Sequence, residues 1–235
     1  MWQELHEELE PLGVTVVTVA LDIDPAKART WIDAAAPTHP ALIDSEHRVD
    51  RLFGISNVPM AVWIDETGTL VRPAEAASIR PNPYATIEIS DQMPERMQRV
   101  LTEMKRIPDT GEAYRAAILD WARQGRSSRY ALGPDEVIAR SRPRPADHSR
   151  AAACFELGRH ADLCGAHDAA VAWWKQAHAL FPDNWTYKRQ AWTLESTPEG
   201  ADSDKAQEVQ DTYGTSWSDE FLRVGAAGYS IAPQL

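Results

Sequence analysis

The stretch VTVVTVAL, residues 14–21, constrains this chain more than any other segment. Its β-branched residues favour a strand, because branched side chains pack well on a pleated surface. Both faces are nearly all apolar, so the strand must be covered on both sides, as in a parallel sheet. Gly13 ends the preceding helix, residues 2–12, whose stripe is Trp2, Leu5, Leu9 and Leu12. After the strand, Asp24 is placed as an N-cap and Pro25 as the first helical residue of DPAKARTWIDAAA, with Ala28, Trp31 and Ile32 inward. HPALID (39–44) reads as a short strand. SEHRVDRLFGI (45–55) reads as a helical turn with Val49, Leu52 and Phe53 inward. MAVWID (60–65), ETGT and LVRP read as a strand, a tight turn and an antiparallel return strand. Helical and strand periods alternate, which sets the class as α/β.

The chain has 235 residues, enough for one large domain or two small ones, and 43% of them are hydrophobic. Its net charge is −11, with no long basic run, which argues against nucleic acid or an anionic membrane surface as partner. The longest apolar run falls far short of the roughly 20 residues of a membrane span. The acidic, amphipathic start MWQELHEELEPLG is unlike a signal peptide, which leaves the cytoplasm as the default compartment.

Downstream, 74–90 reads as a loop with room for one short strand. Residues 91–107 and 111–125 read as amphipathic helices, and SRPRPADHSR (141–150) as a linker. Residues 151–195 form a helical pair broken at Gly165, with Pro182 and Asp183 opening the next helix. The tail offers helices near Ser203–Tyr213 and Ser218–Val224.

The two cysteines, Cys154 and Cys164, make no disulfide framework. On one helix they would stand about 15 Å apart, beyond the roughly 7 Å that a disulfide allows. Cys154, His160, Cys164 and His167 lack the close pairs of a zinc site, so core thiols and solvated imidazoles are the simpler reading. Neither a metal nor a cofactor is implied. Asp22 and Asp24 are explained by a strand end followed by a helix cap. Serine, histidine and aspartate occur without a nucleophile-elbow sequence.

Residues 13–73 resemble the second half of the thioredoxin-like redoxins of the TlpA/ResA type, which are thiol–disulfide oxidoreductases. The likeness rests on GVTVVTVALDIDPAKARTWI and then PALIDSEHRVDRLFGISNVPMAVWIDETGTLV. Its most specific part is Gly54, Ile55, Val58 and Pro59 leading into a strand, an Ile–Asp pair and a Gly turn. It covers about a quarter of the chain. The resemblance implies that Pro59 is cis and lies beside the active site. It also implies that the backbone around Val58, with Asn57 and Pro59, meets an extended thiol or disulfide substrate. In that family a Cys-x-x-Cys stands opposite, where a helix N-terminus lowers the thiol pKa. Here there is no cysteine before Cys154 and no strand before Trp2. The expected fold is therefore α/β and thioredoxin-like, lacking its first strand and Cys-x-x-Cys. An all-α tetratricopeptide-like region follows it. The bounds are 1–107, 108–150 (helix and linker), 151–195 (helical unit) and 196–235 (tail).

In the thioredoxin fold the missing strand lies between the equivalents of Val14–Leu21 and Met60–Asp65. Without it two apolar edges stay unpaired, and unsatisfied backbone groups are costly to bury. Four readings stand: a longer protein of which this is the tail, a strand donated by a partner, direct pairing of the two strands, or a shallow likeness. The first is favoured, because the match begins inside a helix.

Residues 151–184 resemble one tetratricopeptide repeat through Leu157, Gly158, Gly165, Ala170, Trp174, Ala177 and Pro182. Cys154 and Ala161 depart from that pattern. One repeat cannot bury its own face, so helices 111–125 and 185–195 should stack on it. Trp173, Trp174, Trp185 and Trp192 cluster here. Core packing is the default for them. The sharper expectation is a protein-binding aromatic surface of Trp174, Trp185 and Trp192, which requires exposed indoles. Two functional expectations follow: part of a thiol–disulfide oxidoreductase, inactive without its Cys-x-x-Cys, or a redox-dead binding module for peptides and partner proteins.

Overall fold

A computed structural model describes residues 2–141, 143–195 and 206–235. The fold is mixed α/β and mostly helical, with two small sheets. Its first half runs α1 (Trp2–Leu9), β1 (Thr18–Leu21), α2 (Pro25–Ala35), β2 (Ala41–Asp44), α3 (Arg48–Phe53), β3 (Met60–Ile64) and β4 (Leu70–Ala76). The second half is α4 (Glu95–Lys105), α5 (Gly111–Gln124), α6 (Pro134–Ser141), α7 (Ala146–Leu163), α8 (His167–Leu180), α9 (Trp185–Glu195), α10 (Ala206–Tyr213) and α11 (Trp217–Tyr229).

The element order read from the pattern is present, with specific departures. The first helix closes at Leu9 and tightens into a 3₁₀ turn over Glu10–Leu12, which Gly13 ends at φ 81°. Asp24 caps α2 by accepting from Ala26 N–H at 3.0 Å. The hairpin turn is organised by Asp65, whose Oδ1 accepts from Thr67 N–H, Thr67 Oγ1 and Thr69 N–H. These bonds, the hydroxyl of Thr67 first, draw its pKa down to about 2. β4 runs on to Ala76, past the expected LVRP. The supposed linker is short, since α7 already begins at Ala146. Of that segment, residue 142 lies outside the described residues, as do 203–205 of the tail helix and the stretch 196–205.

Among the described residues β1 pairs only with β2, in parallel, and β3 pairs only with β4, antiparallel. The two sheets do not close on each other, so direct pairing of β1 with β3 is not what this chain does.

Three cores hold the molecule together. The first joins Leu5 and Leu9 of α1, Trp63 of β3, Val71 of β4 and Tyr114, Ile118 and Trp121 of α5. The second joins α7, α8 and α9 around Phe155, Trp174 and Tyr187. The third joins α4, α9, α10 and α11 around Val100, Trp192 and Phe221. Thus α9 stacks on the α7–α8 pair, as expected, whereas α5 does not. It covers the β3–β4 hairpin instead, where Trp63 stacks on Trp121 at 5.2 Å between centroids.

α7 and α8 approach closely at Gly158. A Cβ there would lie 2.4 Å from the Trp174 indole nitrogen, so only glycine fits.

Candidate peptide-binding groove

The groove is built on β1. Thr18 N–H donates to Pro40 C=O at 3.0 Å, so Thr18 and Ala20 turn their backbone groups toward β2. Backbone groups alternate in direction along a strand, so Val17, Val19 and Leu21 turn theirs to the opposite edge. No strand among the described residues pairs with that edge.

The edge opens onto a cavity of about 620 Å³. Its apolar walls include Val19, Leu21, Ile32, Trp31 and Val58. Polar groups come from α1 (Gln3), from His39, and from α9 (Thr186, Arg189 and Gln190). Asp22 also lines it. Burial raises the Asp22 carboxyl above its usual range, against the Asp24 N–H that it accepts at 2.9 Å.

Two residues expected inside are not. Trp31 is 79% exposed, because the side of α2 that carries it borders this open cavity rather than a covered sheet. Leu52 is 79% exposed as well. α3 instead buries Asp50, which, with His47 just before the helix, meets Thr186 and the rings of Phe155 and Tyr187.

Val58, flanked by Asn57 and Pro59, forms the other lip. The Val58–Pro59 peptide is cis. Val58 is 44% exposed and lines the cavity. Its N–H, however, is already taken by Asn57 Oδ1 at 2.9 Å, so that donor does not face a ligand in this structure. Asn57 is a brace rather than a contact: its Nδ2 donates to Tyr229 C=O at 2.7 Å. Trp185 N–H donates to Ser56 C=O at 2.6 Å, which fastens the same loop to the start of α9.

Trp174, Trp185 and Trp192 do not form a contact surface. Their exposures are 0%, 1% and 5%, because each fills a seam between helices. The aromatic groove expected from them is absent. Sequence reasoning missed the wall that α9 supplies. Thr186, Arg189 and Gln190 lie more than 160 residues from β1, and nothing local marks them.

Neither cysteine lines the cavity. Cys154 is buried on α7, with its Sγ 4.0 Å from Gln176 of α8, and Cys164 is exposed just past α7. No group of three or more His, Cys, Asp or Glu among the described residues could hold a metal ion. None of their helices is long and apolar enough to cross a membrane.

A comparison with protein-family models, curated proteins and solved structures finds no match to this chain.

Proposed function

We propose that this chain is a thioredoxin-like, redox-inactive binding module that takes an extended polypeptide segment along the open edge of β1, beside Val58 and Pro59. One observation carries the reading: the outward edge of β1 pairs with no strand among the described residues and borders an apolar cavity. Strand addition at such an edge draws affinity from main-chain hydrogen bonds and selectivity from pockets for alternate side chains. The apolar lining favours an uncharged segment with Val, Ile or Thr facing Val19, Leu21 and Val58.

The order α-β-α-β-α-β-β, with a hairpin after Pro59, supports the thioredoxin-like framework. The α7–α8 pair, closed at Gly158 and Trp174, supports a tetratricopeptide-like unit. That unit acts here as a buttress, since α9, packed on it, also walls the groove. The thiols stand outside the groove, so binding rather than exchange is the activity.

The test uses the full chain and a blocked hexapeptide, Lys-Val-Thr-Val-Thr-Lys. Binding should slow amide exchange at Val19 and Leu21. Val19→Pro removes an N–H that faces the open edge and leaves the β1–β2 ladder intact, a place where a strand accepts proline. That variant should fold and lose most of its affinity. Unchanged affinity in a folded Val19→Pro chain would overturn the proposal.

A further inference from the structure

The open edge of β1 is stopped at one end by a side chain. Gln190 of α9 accepts from Ile23 N–H through Oε1 at 2.8 Å and donates through Nε2 to Leu21 C=O at 3.3 Å. Leu21 C=O and Ile23 N–H are the two groups that a single residue of a parallel neighbour strand would satisfy. The carboxamide carries one donor and one acceptor on one planar group, so it stands in for that residue. Counting along the edge, the same pairing recurs at Val19 C=O with Leu21 N–H, and at Val17 C=O with Val19 N–H. No other strand among the described residues reaches these two rungs.

We infer that Gln190 is a register stop: it fills the third rung, so a bound segment can occupy only the two rungs between Val17 and Leu21. This rests on the groove reading above. The chain itself shows what the edge accepts, because the one group seated on it is an amide. Gln190 is held in place, since α9 is anchored by Trp185 N–H to Ser56 C=O and packed through Tyr187 and Ala191 against α7 and α8. A stop of this kind sets both the length and the alignment of the ligand. Shifting a strand by one residue exchanges its two faces, so a fixed end decides which side chains meet Val58 and Trp31.

The experiment is residue-resolved amide exchange on the full chain, with a blocked tetrapeptide, Lys-Val-Thr-Lys, whose alternate residues can fill two rungs, and with the blocked hexapeptide Lys-Val-Thr-Val-Thr-Lys, whose alternate residues can fill three. In the native chain Ile23 N–H should be protected before any peptide is added. Both peptides should add protection at Val19 and Leu21 alone and bind equally. In Gln190→Ala, Ile23 should exchange fast when free and become protected by the hexapeptide, which should then bind about tenfold tighter than the tetrapeptide, the worth of one or two ladder hydrogen bonds. Gln190→Met keeps the side-chain bulk without the amide and should behave like Gln190→Ala, provided both retain the native melting temperature. A hexapeptide that already binds tighter than the tetrapeptide to the native chain, or that displaces the Ile23 bond there, overturns the stop while leaving the groove standing. No added protection at Val19 and Leu21 with either peptide, in any variant, overturns the groove and the stop together.

Discussion

Trp63 and Tyr114 are joined by a buried hydrogen bond, indole N–H to phenolic oxygen at 2.9 Å, across the seam between β3 and α5. Tyr114 is 0% exposed, and burial pushes its hydroxyl well above the usual phenol range, so it stays protonated. Removing that oxygen leaves the Trp63 donor without its partner inside the first core. Tyr114→Phe should therefore destabilise the chain by about 1–3 kcal/mol. Urea unfolding at neutral pH, followed by far-UV circular dichroism, measures this. A change under about 0.5 kcal/mol would mean that the bond contributes only what a surface contact does.

Gly158 and Trp174 give the helical half its closest approach. Gly158→Ala drives a Cβ into the Trp174 ring at 2.4 Å, and the ring is fully buried. Overpacking of this kind should cost about 1–3 kcal/mol or more. Gly133→Ala is the control, since a Cβ there meets nothing within 4 Å. A thermal melt in which both variants lose the same stability would contradict the packing described for α7 and α8.

Two histidines of α8 should give stability opposite slopes with pH. His167 bridges Asp162 through Nδ1 and Glu195 through Nε2, both at 2.9 Å, and the Asp162 bond leads in raising its pKa. A raised folded pKa stabilises below the unfolded value near 6.5, and that contribution is lost as pH rises through the folded value. His178 is the reverse case. Burial first, and then the charge of Lys188, lower it to about 4. As pH falls from about 6.5 to about 4 the unfolded chain gains a proton that the folded one refuses, so stability drops. His178→Gln should flatten that acid limb. His167→Gln should remove the loss above pH 6.5. Urea midpoints between pH 4 and 8 read both, and identical slopes in all three proteins would refute the assignment.

The thiols should be unequal and redox-silent toward a substrate. Cys164 is exposed and Cys154 is buried, so a thiol reagent should modify Cys164 first and Cys154 only on unfolding. The chain should show no dithiol-dependent insulin reduction above that of Cys154→Ala/Cys164→Ala. Turnover that vanishes in the double variant would assign sulfur chemistry to a chain whose groove holds none.

Much of the first half was legible because its signals are local. The Asp24–Pro25 cap and the Asp65–Gly68 turn each fix a conformation within a few residues, and the β-branched run at 14–21 forms strand over its second half, Thr18–Leu21. Gly158 and Trp174 stood out through the resemblance of residues 151–184 to a tetratricopeptide repeat. Trp31, Leu52 and the three buried tryptophans were misjudged in opposite directions for one reason. Periodicity says which residues share a face, but not whether anything covers that face. α2 turns Trp31 to an open cavity, while Trp174, Trp185 and Trp192 are enclosed by helices from distant parts of the chain.

The sequence by itself determined the element order of the first half, the Asp24 cap of α2 and the apolar character of β1, since these follow from backbone preferences and side-chain period over a dozen residues. Only the tertiary structure decided that β1 keeps one edge open and that Gln190 closes its end. The partners in that contact are 167 and 169 residues apart, and an amide meets a strand edge there only because packing against α7 and α8 carries α9 to it.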